Sequence, residues 1–214
     1  WSSDVCSSDL SYLKDLLSLS LSPEMCRKHS DLKIVYTPLH GCGVRLVPEI
    51  LKRLGFENII HVPDQDVSDG NFPTVVSPNP EEPAALKMAT DMAEKTGADL
   101  VMGTDPDADR LGIAVRDNEG RIVLLNGNQT ASILTYYILR RRSELGTLGK
   151  GKYVVKTIVT TELISDICAR FGVPVYNVLT GFKYIAEVVK RREQLGEEFV
   201  CGREIGRASC RERV

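Results

Sequence analysis

No apolar run in this sequence approaches the roughly 20 residues needed to cross a bilayer, and no basic stretch leads into an apolar signal core. A membrane partner is therefore not expected, and the chain reads as soluble and cytoplasmic. Its six cysteines include no CxxC pair, and the spacing of Cys6, Cys26, Cys42, Cys168, Cys201 and Cys210 matches no zinc module or disulfide framework. They read as reduced thiols. A basic excess is missing too: 27 Lys and Arg stand against 29 Asp and Glu, a net charge of -2. That excludes the electrostatic footprint of a general nucleic-acid binder, though local patches can still hold small anions. With 43% hydrophobic residues in 214, the chain can bury one large core or two smaller ones.

Both ends are atypical. WSSDVCSSDL begins without methionine and fits neither a helix nor a strand pattern, and IGRASCRERV is equally odd. Residues 1–10 and 205–214 are expected to be non-native flanks, translated linker or adapter, with disordered tails as the alternative.

Between them strands and helices alternate. Leu13, Leu16 and Leu17 predict an amphipathic helix over 12–19. KIVYT (33–37) predicts a strand, PLHGCG a loop, and Val44, Val47, Ile50, Leu51 and Leu54 a helix stopped by Gly55. ENIIHV (57–62) is the next strand, and DQDVSDGNFPT reads as loop. Asn79 as N-cap, Pro80 at the first helical position and Glu81 and Glu82 behind it predict a helix running to Thr96 and stopping at Gly97. DLVMGT (99–104) is apolar enough for a central strand, and LGIAV and RIVLL form a hairpin around 117–120. A second round follows: a helix over 128–142, strand YVVKTIV, a helix over 161–171, strand PVYNVL, a helix from Gly181 and strand EEFVC. This alternation predicts an α/β protein of two consecutive three-layer domains, 11–119 and 120–204, with mixed, mainly parallel sheets. Tyr136 and Tyr137 are expected in core or interdomain packing.

The segment TDPDADR (104–110) follows directly on DLVMGT, so it lies at a strand's carboxyl end, where open α/β sheets place ligands. Three carboxylates this close repel one another by several kcal/mol in a partly buried site, and a hard divalent cation removes that cost. Alternate spacing in an extended loop predicts that Asp105, Asp107 and Asp109 point to one side. So few protein ligands leave positions for water or phosphate, the habit of magnesium. Arg110 is no ligand, but its planar fork suits a phosphate oxygen pair beside the metal. An EF-hand fits poorly, because its glycine and glutamate positions hold Arg110 and Arg116. Three alternatives stay open: a solvated acidic loop, a metal-stabilised α/β binding module, or a phosphatase in which Asp105 attacks phosphate and Asp107 protonates the leaving group.

TDPDADR is similar to the metal loop of the α-D-phosphohexomutases, and VYTPLHGCG, FPTVVSPNPEEPAAL and VLTGFKYI resemble stretches of the second and third domains of that family, in the same order. The resemblance runs from about Tyr12 to about Gly202. It implies magnesium on Asp105, Asp107 and Asp109, completed by a phosphoserine oxygen from the family's first domain. It also implies a sugar-phosphate substrate and an intramolecular phosphotransferase working through a bisphosphate intermediate. Thr180, Gly181 and Lys183 would meet the substrate, Lys183 near a helix start that favours anions, and Glu204 would match the glutamate of the family's Gly-Glu-x-Ser sugar loop. The Ser-His-Asn-Pro loop of domain 1 and the Ser-Gly-Thr clamp of domain 4 do not occur in this chain, so the fragment is expected to be inactive. His40, Gly41 and Gly43 read as a close-packed strand-to-helix turn, with His40 structural.

Overall fold

A computed structural model describes residues 7–204 and 207–210, with side chains for 8–204. The chain divides into two compact units, one ending at Leu125 and the other starting at Asn126, a few residues past the expected junction.

The first unit contains α1 (Ser7–Ser18), α2 (Pro23–Lys28), β1 (Lys33–Thr37), α3 (Gly43–Leu54), β2 (Asn58–His61), α4 (Pro63–Asp66), α5 (Lys87–Thr96), β3 (Leu100–Thr104), β4 (Leu111–Arg116) and β5 (Ile122–Leu125). Its sheet has the order β2-β1-β3-β4-β5. β1 is parallel to β2 and β3, while β4 is antiparallel to β3 and to β5. The apolar run of β3 thus takes the central position that its composition suggested. From β1 the chain steps out to β2, then returns across β1 to β3. Crossovers of the usual right hand therefore put α3 and α5 on opposite faces, giving three layers. On the α5 side the core joins Ala89, Ala93 and Ala98 to Val35, Val62, Val101 and Ala114.

α3 ends as its sequence predicts, on Gly55 in the left-handed region at φ 112°. α5 does not begin where expected. Residues 79–86 form successive turns, and the helix starts only at Lys87. Pro83 is the cause: a continuous helix would need its missing N–H to bond Asn79 and would press its ring on that carbonyl. Asn79 still caps locally, accepting from the Glu81 N–H at 3.2 Å. The turn packs on the sheet at Gly112, where an added Cβ would strike the Pro80 carbonyl. The polar stretch expected to be wholly loop also holds the short α4.

The second unit contains α6 (Gly127–Glu144), β6 (Lys152–Thr157), α7 (Leu163–Arg170), β7 (Val175–Val178), α8 (Phe182–Glu193), β8 (Glu198–Glu204) and β9 (Arg207–Cys210). The order is β7-β6-β8-β9, with three parallel strands and β9 antiparallel at the edge. α6 starts with a capping box in which Asn126 and Gln129 bond each other's backbone. Tyr153, Val155, Ile185 and Phe199 form a second core. Tyr136 and Tyr137 are partly exposed, Tyr136 against the Phe171 ring. Of the two suspect ends, 7–10 lie in α1 and 207–210 in β9, while 1–6, 205–206 and 211–214 lie outside the described residues.

Two cations lie buried side by side here. Lys156 and Arg203 are register partners on β6 and β8. Lys156 Nζ donates to the Thr160 carbonyl at 3.0 Å and to Glu162 at 2.7 Å. Arg203 donates only through Nε, to Thr135 at 3.1 Å, and its two terminal nitrogens have no partner among the described residues. A desolvated guanidinium without a counter-charge opposes folding. Arg203→Met should therefore raise the urea midpoint, by about 1–4 kcal/mol in stability. Thr135 stays satisfied through its bond to the Ala131 carbonyl. A lower midpoint would contradict the reading of Arg203 as a charge without a partner among the described residues.

Candidate metal centre

In the first unit the strand order reverses direction between β1 and β3, the position at which open α/β sheets form a crevice at their carboxyl ends. The loops that follow these two strands are pinned to each other. Gly41 lies so close to the second loop that a Cβ would overlap Pro106, and the Cys42 N–H donates to the Pro106 carbonyl at 2.9 Å. Beneath them Tyr36 Oη and Thr104 Oγ1 share a buried hydrogen bond of 2.9 Å, and a Cβ on Gly43 would meet both. The two glycines thus serve close backbone packing, as their sequence setting suggested.

The acidic loop is not extended. Ala108 N–H closes a turn on the Asp105 carbonyl at 3.0 Å, and Ala108 itself takes φ 59°. Pro106 suits the second position of such a turn, and the left-handed residue swings the chain back. This bend, rather than a strand-like alternation, gathers the carboxylates. One oxygen each from Asp105, Asp107 and Asp109 lies within 4.8 Å of the others, and no second group of this kind occurs among the described residues. That spread is little more than twice the roughly 2.1 Å of a magnesium–oxygen bond, so a small inward movement closes the three on one ion. Asp105 is buried, while Asp107 and Asp109 are exposed, which leaves the outer side open to solvent or ligand.

Burial pushes the Asp105 carboxyl up to about 6, with the charges of Asp107 and Asp109 adding to the rise and the Arg110 N–H opposing it. That N–H donates to Asp105 Oδ1 at 2.9 Å. The Arg110 side chain makes only loose ion pairs, with Nε 3.9 Å from both Asp105 and Asp109. Its fork is not locked against the loop.

In the second unit the reversal falls between β6 and β8. Gly181 caps α8 at φ 123°, and its N–H donates to Glu204 Oε1 at 2.9 Å, joining two expected substrate residues 23 positions apart. The other carboxylate oxygen of Glu204 is buried with no partner among the described residues. Thr180 is exposed just before the cap. Lys183 is exposed in the first helical turn, its ammonium 4.9 Å from the Tyr184 ring centre. His40 is buried, and both ring nitrogens are hydrogen-bonded. The ring partners of His40, the Val67 carbonyl and the Thr74 hydroxyl, were missed from sequence, because no local pattern marks them.

Two α/β/α units, the first with an acidic strand-end loop whose three carboxylates could hold a cation, define the class of this fold. Residues 11–120 match the family model for phosphoglucomutase/phosphomannomutase alpha/beta/alpha domain II, and 126–205 that for domain III. The chain belongs to the phosphoglucomutase/phosphomannomutase family. It is 43% identical over 162 residues to a phosphoglucomutase of Staphylococcus aureus (strain MRSA252), a match over 76% of this chain and 29% of that protein. The chain thus spans less than a third of the length of the curated relatives it matches. A putative phosphomannomutase from Thermus thermophilus shares its fold at TM-score 0.71 and 23% identity, over 94% of this chain and 42% of the other. The N-acetylphosphoglucosamine mutase of Aspergillus fumigatus in complex with GlcNAc-6P and magnesium aligns at TM-score 0.56 and 18% identity, over 83% and 35%.

The charge on Asp105 sets a pH dependence for the metal-free chain. Its folded pKa lies above the ordinary 3.8, so its contribution to stability is present below about pH 4 and lost as pH rises through about 6. In EDTA, Asp105→Asn should flatten the thermal-stability profile between those limits and raise the Tm at pH 7. A lower Tm at pH 7 would contradict it.

Proposed function

We propose that this chain is the magnesium-binding and sugar-recognising part of a phosphosugar mutase, a cytoplasmic intramolecular phosphotransferase of carbohydrate metabolism. The observation that carries this reading is the meeting of three carboxylates at the carboxyl end of β3. Magnesium fits a donor set of hard oxygens that is small and open on one side. When bound, the ion supplies positive charge that stabilises a phosphoryl group in transfer.

Asp105, Asp107 and Asp109 are the protein's ligands to it. The Arg110 guanidinium, loosely held at 3.9 Å from two of them, is available to grip phosphate oxygens. Gly181 and Glu204, already hydrogen-bonded, form with Thr180 and Lys183 the surface that reads the sugar phosphate. The Oε2 of Glu204, without a partner among the described residues, supports this role, because a buried carboxylate oxygen seeks a donor such as a sugar hydroxyl. In the intact enzyme a phosphoryl group would move between two hydroxyls of one sugar phosphate by way of a bisphosphate. The names of the relatives support that reaction class, and the magnesium complex of the Aspergillus fumigatus mutase supports the metal. Domains 1 and 4 of the intact polypeptide would supply the phosphoserine and the remaining phosphate clamp. Without them catalysis by positioning fails, and this chain is inactive by itself.

Millimolar magnesium should raise the Tm of the chain at pH 7.5, because a ligand stabilises the state that binds it. The shift should vanish in Asp107→Asn and in Asp109→Asn. The ion needs the ionised loop, so its effect should be full well above pH 6 and fade as pH falls through the raised pKa of Asp105, about 6. A magnesium shift as large at pH 5 as at pH 7.5 would count against this site. Glucose 1-phosphate should go unconverted, and measurable turnover would refute the inactivity of the chain.

A further inference from the structure

We propose that His40 is a positioning residue for the acidic loop, acting through the turn between β1 and α3; the inference rests on reading that loop as a magnesium site. Four non-glycine residues among those described have positive φ: Leu39 at 47°, His40 at 64°, Phe72 at 48° and Ala108 at 59°. They lie on the segments that follow β1, β2 and β3, so the backbone strain of this unit gathers at one edge of its sheet. Conformations of this kind persist only where surrounding bonds over-determine them.

The bonds that do so are specific. His40 is 3% exposed. A carbonyl only accepts, so Nδ1 must donate to the Val67 carbonyl, 2.8 Å away. The Gln65 amide donates to Thr74 Oγ1 at 3.1 Å, which leaves the Thr74 hydroxyl to donate to His40 Nε2 at 2.8 Å. Gln65 Oε1 in turn accepts from the Thr37 hydroxyl at 2.7 Å, and Thr37 Oγ1 accepts from the Leu39 N–H at 3.1 Å. The His40 N–H donates to the Gln65 carbonyl at 2.9 Å. Every proton in this chain of bonds has one place to go. The two strained residues at the start of the turn are thereby fixed to the segment after β2.

The next two residues carry that fixation to the acidic loop. Gly41 packs on Pro106, and Cys42 donates to its carbonyl. Pro106 lies inside the turn that gathers the three carboxylates. A shift of His40 would therefore move the seat of Pro106 and spread the ligands, without His40 touching ion or substrate. A purely structural histidine would lower stability but leave the ion's affinity alone in molecules that remain folded.

Manganese affinity of this chain, read from the paramagnetic signal of free Mn²⁺ at a temperature where each variant is folded by circular dichroism, separates the two roles. His40→Leu should weaken binding about tenfold, the lower end of what an outer-shell partner contributes. Thr74→Val, an isosteric loss of one donor, should weaken it by a smaller factor. His40→Asn should stay near wild type, since its amide can donate to Val67 and asparagine tolerates positive φ. Wild-type affinity in both the Leu and the Val variants would overturn the proposal while leaving the metal site intact. If His40→Leu does not fold, Thr74→Val decides alone. A wild-type chain that binds no manganese would sink the metal reading and this inference with it.

Discussion

Carboxylates repel, and the first unit is built around holding three of them together. Asp105, Asp107 and Asp109 are gathered by a turn closed on the Asp105 carbonyl and by a left-handed Ala108. The cost appears in Asp105, whose proton is held up to about pH 6 by burial and by its two acidic neighbours. Such an arrangement persists only if the backbone beneath it cannot relax. That rigidity comes from the contact of Gly41 and Cys42 with Pro106, and from the buried Tyr36–Thr104 pair.

The second unit repeats the arrangement with different side chains. Its strand order reverses in the same way, and its carboxyl edge brings a glycine at a helix start to a glutamate from the next strand. On the function proposed above, a positively polarised helix end and a buried carboxylate oxygen would offer a sugar phosphate both a donor and an acceptor. Neither unit's edge needs the rest of its fold to be unusual.

Much of this was legible in the sequence where one local rule dominated. The helix ending at Gly55, the central apolar strand DLVMGT and the hairpin around 117–120 follow from periodicity and turn residues alone. The start of α5 was not, because a good capping signal at Asn79 and Pro80 competes with Pro83 three residues later, and the second proline wins. Asn126 and Gln129 form a capping box that the sequence does display, just ahead of the predicted helix start. The acidic cluster itself stood out by composition, but its geometry did not: Pro106 and Ala108 bend a loop that alternate spacing would have left extended. Least legible was the His40 network, whose bonded partners lie up to 34 residues apart and share no pattern. Contacts of that range exist only once the sheet has brought its loops together.

The central claim is that this bent loop seats one divalent ion. A crystal soaked in manganese, with diffraction collected at the metal's absorption edge, tests it most directly. The account predicts one strong anomalous peak at about 2.1–2.3 Å from an oxygen of each of Asp105, Asp107 and Asp109. A peak elsewhere, or none with the loop well ordered, would contradict it.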